Sequence, residues 1–293
     1  MKSDSKNTVS LVLGSGGARG LAHIGVISEL EANGYEIKSI SGCSMGALVG
    51  GIFAAGKLDE FEQWVRAITK VDIVSLLDIA WQKHGLVKGD KIINTLIDLV
   101  GDRMIEDLPM RYTAVAADVK REKEVWINSG RLFDAIRASI SLPLFFTPVE
   151  YRNGHLIDGG VLNPVPIAPT FNDDTDLTVA VNLGGPLQAE TISKNVERRS
   201  ADCDPSFQEK VSQFISDWQG ARKPRSGDDW SVYDIADQAF DAMQSTIARQ
   251  KLAAYPPDIN IEIARNACET LEFDRADEMI ELGRQKASEL LQR

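Results

Sequence analysis

Gly42-Cys43-Ser44-Met45-Gly46 spells G-x-S-x-G between a short β-branched run and an apolar segment of helical spacing. Such a pattern serves nucleophilic chemistry. A serine on a sharp strand-to-helix turn is strained and exposed, and the flanking glycines Gly42 and Gly46 let neighbouring backbone pass close by. The helix that follows points its free N-terminal amides and positive dipole end at developing negative charge. The competing reading is a glycine-rich turn around a buried structural serine. Placement on an elbow favours the nucleophile.

A second glycine-rich stretch, Gly14 to Gly20 (GSGGARG), ends a first apolar run and opens a helix. Loops of this kind hold anions through backbone amides. A phosphate-binding P-loop would need a G-K-[ST] ending, and Arg19-Gly20 does not supply it. A dinucleotide fingerprint would need a glycine where Ser15 stands and an acid near Ile40-Ser41. The third reading is an oxyanion hole serving Ser44, which requires only free amides such as those of Gly16 and Gly17.

A serine hydroxyl needs a base. The chain has three histidines, His23, His84 and His155, and none follows His155. The hydrolase order that places histidine last in the chain is therefore not available. His23 falls inside the first helix, where packing or capping is the ordinary role, and His84 reads as a surface loop residue. Asp158-Gly159-Gly160 follows the apolar pair Leu156-Ile157. It reads either as a plain Asp-Gly turn or as a carboxylate at a strand end whose two glycines permit close backbone approach. His155, three residues away, is the other candidate base.

The elements that must position these residues follow from periodicity. Compact apolar or alternating runs predict strands over Thr8–Leu13, Glu36–Ile40, Tyr112–Asp118, Glu124–Ile127, Leu177–Asn182 and Asp258–Ile263. Helical spacing predicts helices over Leu21–Ala32, Met45–Ala55, Asp59–Thr69, Asp90–Val100, Leu132–Ser139, Ser231–Leu252 and Arg275–Leu291. Strand–turn–helix occurs twice in the first 55 residues or so, the mark of a mostly parallel sheet between helices, a three-layer α/β/α fold.

All 293 residues read as one domain: a core over about 8–185, a polar insertion or lid over about 188–229, and C-terminal helices with a late strand over about 230–293. Within the insertion, Phe207, Val211, Phe214, Ile215 and Trp218 share one helical face. That face either packs on the protein's own sheet or touches lipid during substrate entry.

A net charge of −11 argues against nucleic acid, whose phosphates require clustered Lys and Arg. Three cysteines without a C-x-x-C pair read as reduced thiols in a cytoplasmic protein. Met1 to Ser10 lacks the apolar stretch of a signal peptide. The most apolar segment, Met45 to Ala55, is too short to span a bilayer, so membrane contact would be transient and peripheral, at its inner face.

Taken in order, GSGGARG, GCSMG and DGG resemble the patatin-like phospholipases, and among them the small bacterial relatives of the neuropathy target esterase catalytic domain. The block Ala135-Ile136-Arg137-Ala138-Ser139, with Ser141-Leu142-Pro143 and Pro148-Val149, is similar to that family, as is Gly85-Leu86-Val87-Lys88-Gly89. The resemblance implies a patatin-like fold and a Ser–Asp dyad without histidine, with Ser44 as nucleophile and Asp158 as base. Gly16 and Gly17 would hold the oxyanion with Arg19 closing the loop's end, and Gly14, Gly20, Gly42, Gly46, Gly159 and Gly160 would support the motifs. Ser15 replaces a glycine often seen in that loop.

Neither metal nor organic cofactor is implied, and the substrate would be a lipid or another acyl ester. In a partly desolvated cleft Asp158 should have a raised pKa. Two other classes remain open. A transacylase of the malonyl type should carry a dedicated downstream histidine. A regulatory protein retaining a hydrolase fold would bind a protein partner that the sequence does not identify.

Overall fold

The computed structural model describes residues 7–69, 72–73, 76, 87–143, 145–152, 154–188 and 232–292. Strands are β1 (Thr8–Leu13), β2 (Glu36–Cys43), β3 (Arg111–Asp118), β4 (Lys123–Ile127), β5 (Val149–Tyr151), β6 (Gly154–Asp158), β7 (Leu177–Gly185) and β8 (Ile259–Ala264). Helices are α1 (Ala22–Ala32), α2 (Met45–Ala54), α3 (Leu58–Ala67), α4 (Asp90–Val100), α5 (Leu132–Ser139), α6 (Val232–Ala254) and α7 (Ala276–Leu291). Apart from Gln188, the insertion expected over about 188–229, with its Phe207–Trp218 face, lies outside the described residues, as does His84.

The order β3-β2-β1-β7-β8 is parallel throughout. Strands this deep in a sheet read as continuous apolar runs because both faces are covered. In β1, Val9, Leu11 and Leu13 join the large core shared with α1, α2 and α7, whereas Val12 faces a smaller cluster with Val165, Ile167, Ala180 and Ala248 of α6. Helices therefore cover both faces, and the expected three-layer, mostly parallel architecture is present.

Two departures from the sequence reading bear on the site. β2 does not stop at Ile40; it continues through Ser41-Gly42-Cys43, paired with β1 on one side and β3 on the other. Small residues give no strand signal, but pairing on both edges overrides weak local preference. Ser41 completes the fit by donating its hydroxyl to the Pro166 carbonyl at 2.7 Å.

The second departure is the β5–β6 hairpin, too short and too polar to show a period. Its position follows from β3. Residues Ala116 to Asp118 pair with β4 on one edge, so β6 must take the other. That is the edge β2 occupies as far as Val115. Cys43 and Asp158 therefore sit beside consecutive β3 residues, Val115 and Ala116. Register alone brings two segments more than a hundred residues apart to one point.

Candidate active site

Ser44 makes the turn from β2 into α2 by itself, with φ 55° and ψ −123°. A residue with a side chain held at positive φ is strained by about 1–3 kcal/mol, so the surroundings must enforce it. They do so through hydrogen bonds and contact. The Ser44 amide donates to Ser139 Oγ at 2.9 Å, and that hydroxyl donates in turn to the Val115 carbonyl at 2.6 Å. Gly46 lets the first turn of α2 press on the end of β1: a Cβ there would stand 2.0 Å from the Leu13 carbonyl oxygen. Gly42 faces the same helix from behind, against Ala47, and Gly20 lies on Met45.

The Ser44 hydroxyl lies 2.5 Å from Asp158 Oδ2. The other carboxylate oxygen accepts the Gly160 amide at 2.7 Å. Gly159 permits the approach, because a Cβ there would meet the Val115 carbonyl at 2.1 Å. Asp158 is fully buried, and loss of solvent pushes its pKa up to about 6. Hydrogen bonds from Ser44, the Gly160 amide and the Cys43 thiol pull the other way without cancelling it. A carboxylate so placed is mostly ionised at neutral pH, yet basic enough to accept a proton.

In the glycine-rich loop, Gly14 donates to the Val181 carbonyl at 3.0 Å, Ser15 to Pro164 at 2.8 Å and Ala18 to Thr270 at 2.9 Å. Among the described residues, the amides of Gly16 and Gly17 have no partner. Gly17, at φ 57°, lines the same pocket as Ser44. Arg19 is buried and turns back on the loop, its Nε donating to the Gly16 carbonyl at 3.2 Å.

The remaining candidate bases stand elsewhere. His23 is buried in α1 with Nε2 at 2.9 Å from the Gly14 carbonyl, and desolvation lowers its pKa to about 4. It braces the loop as a neutral ring. His155 is exposed and lies on the opposite face of β6 from Asp158, three residues along a strand.

Beyond Ser44 opens a pocket of about 880 Å³, its open mouth included. Leu48, Phe61, Trp64, Leu96, Ile140, Phe146 and Phe273 contribute to an almost wholly apolar lining. Sequence reasoning did not assign this wall, since its residues carry only the helical periodicity of a core. Ser139 was visible as part of the Ala135–Ser139 block, but its role beneath the elbow was not. Among the described residues, no group of three or more His, Cys, Asp or Glu is arranged to hold a metal, and no helix is long and apolar enough to cross a membrane.

The chain is similar in sequence to known proteins. The family model "Patatin-like phospholipase" matches residues 11–171. An uncharacterised NTE family protein of Mycobacterium tuberculosis is 38% identical over the whole chain and 93% of its own length. Neuropathy target esterase sws of Drosophila melanogaster is 30% identical over 61% of this chain, a match that spans 13% of that protein. The crystal structure of VipD from Legionella pneumophila overlaps 97% of this chain and 67% of its own at 15% identity, with a TM-score of 0.45.

Proposed function

This chain belongs to the patatin-like phospholipase family, and from that premise we propose that it is a serine acyl hydrolase cleaving lipid-type carboxylic esters with Ser44 as nucleophile and Asp158 as general base. The observation that carries the reading is the 2.5 Å contact between Ser44 Oγ and Asp158 Oδ2 beside an apolar pocket that Ser44 lines.

In this mechanism Ser44 Oγ attacks the ester carbonyl carbon as its proton passes to Asp158. The Gly16 and Gly17 amides stabilise the tetrahedral oxyanion. Collapse breaks the bond to the alcohol oxygen, which takes the proton from Asp158 and departs, leaving the acyl group on Ser44. Water then attacks the acyl-enzyme, giving its proton to Asp158. Collapse of the second tetrahedral species returns the proton to Ser44 and releases the carboxylic acid. The apolar pocket suits the acyl chain, and substrate in a bilayer would be reached by peripheral contact.

Replacing Ser44 with Ala tests the reading. Wild type is expected to hydrolyse p-nitrophenyl esters and lysophospholipid and to be labelled by a fluorophosphonate probe, whereas Ser44→Ala should do none of these. Undiminished hydrolysis by Ser44→Ala would sink the proposal.

A further inference from the structure

Helix α6 enters the site from the far side of the sheet, and two of its side chains reach the turns on either side of Ser44. Asp241 accepts from Arg19 Nη2 at 3.0 Å. Gln244, three residues on and so on the same helix face, is buried and donates from Nε2 to Ser15 Oγ at 3.2 Å. The same amide group rests on Gly160, where a Cβ would stand 2.2 Å from Gln244 Nε2 and 2.6 Å from Ser15 Oγ. One helix thus touches both the glycine-rich loop and the turn that follows Asp158.

The consequence runs through a peptide plane. Arg19 directs its guanidinium to the carbonyl of Gly16, the carbonyl of Arg265 and the carboxylate of Asp241. A trans peptide points its C=O and N–H in opposite directions. Holding the Gly16 carbonyl against Arg19 therefore turns the Gly17 N–H away from it, and Gly17 lines the pocket with Ser44. Arg19 is 5% exposed, and among the described residues Asp241 is the only carboxylate paired with it. A buried guanidinium that lost this partner would be drawn toward water, away from the Gly16 carbonyl.

We infer that α6 is the positioning element of the oxyanion loop: Asp241, acting through Arg19, orients the Gly16–Gly17 peptide, and Gln244 fixes the spacing between that loop and the turn bearing Asp158. Asp241 and Gln244 are positioning residues, since neither contacts the reacting atoms. The inference rests on the acyl-hydrolase reading above, with the Gly17 amide as an oxyanion donor.

The test is a comparison of Asp241→Asn, Asp241→Glu and Gln244→Met with wild type and Ser44→Ala on a soluble p-nitrophenyl ester. Losing an oxyanion donor outright lowers kcat roughly 100- to 1000-fold. A donor left present but mis-aimed should lower it by roughly tenfold or more in Asp241→Asn and Gln244→Met, with KM within about twofold. Labelling by a fluorophosphonate, which also builds negative charge on oxygen, should slow in parallel. Asp241→Glu, which keeps the charge, should recover part of the loss.

A merely structural role would instead lower the melting temperature and the amount of active protein without this split between kcat and KM. Should Asp241→Asn fail to fold, Gln244→Met carries the same test. Ser44-dependent activity that keeps its wild-type kcat in the folded variants overturns the inference and leaves the hydrolase reading standing. Activity that survives Ser44→Ala overturns the hydrolase reading.

Discussion

On one side of Ser44, hydrogen bonds fix the polar atoms one by one. Ser139 accepts the Ser44 amide and donates to Val115, Asp158 accepts from Ser44 and Gly160, and the Asp158 amide donates to Ser141 at 2.9 Å. On the other side, Leu48, Phe61, Leu96, Ile140 and Phe273 offer apolar surface with no directional bond to the hydroxyl. The two sides follow different rules. A buried hydrogen-bond network loses strength steeply when one partner is displaced, because the orphaned group is stranded away from water. An apolar wall acts in proportion to area and shape, and a changed side chain can be accommodated. The polar side should therefore govern the rate of the chemical step, and the wall should govern which chain enters.

The largest effect expected from this contrast is at Asp158. Asp158→Asn removes the proposed base while keeping the size and an acceptor for Gly160, and kcat should fall by roughly a thousandfold. Stability should move the other way. The folded-state pKa is raised from 3.8 to about 6, so this group's contribution to stability is fully present below about pH 4 and is lost as pH rises through 6. A rise of that size means that the folded surroundings, burial less the opposing hydrogen bonds, disfavour the charged form by about 3 kcal/mol at neutral pH. A neutral amide does not carry that penalty, so Asp158→Asn should melt above wild type at pH 7.5. A lower melting temperature would mean that the charge is compensated by contacts beyond those to Ser44, Gly160 and Cys43.

Activity should follow the same titration. With the proposed base active only when ionised, kcat/KM of wild type should be level above about pH 7, half-maximal near pH 6 and fall about tenfold per unit below about pH 5. The measurement is an initial-rate profile from pH 4.5 to 8 on a substrate without ionisable groups. A midpoint near 4 would show that water reaches Asp158 and that the polar side is less sealed than its burial indicates.

How much of this contrast could be read from the residues depends on how local each signal is. The elbow was legible because strand, Gly42, Ser44, Gly46 and helix are contiguous, and steric demand writes itself into adjacent glycines. The α/β layering was legible for the same reason, in apolar runs that end at turns. Asp158 was not singled out by its own neighbourhood, since an Asp-Gly turn has an ordinary explanation, and only its order relative to the other motifs marked it. Its meeting with Ser44 depends on β2 and β6 sharing one edge of β3, a matter of register across more than a hundred residues. The contacts of Asp241 and Gln244 were less visible still, because a polar residue on a long helix looks solvated until its partners are known.

The smallest effect is expected at the wall, and Trp64 is the place to look for it. Trp64 lines the pocket from α3 but is only half-buried, with its ring 5.9 Å from that of Phe61. Trimming it should enlarge the pocket with less disruption than removing the fully buried Phe61. A methylene in an apolar pocket is worth about 1–3 kcal/mol of discrimination. Trp64→Ala should therefore shift the preferred acyl chain to greater length, changing the long-to-short ratio of kcat/KM by about tenfold. The change should appear in KM, because the wall binds ground state and transition state alike. A p-nitrophenyl ester series from butanoate to palmitate would read it. A large fall in kcat at every chain length, without unfolding, would mean that the wall also holds the dyad in place, and the division between a rate-setting side and a selecting side would no longer stand.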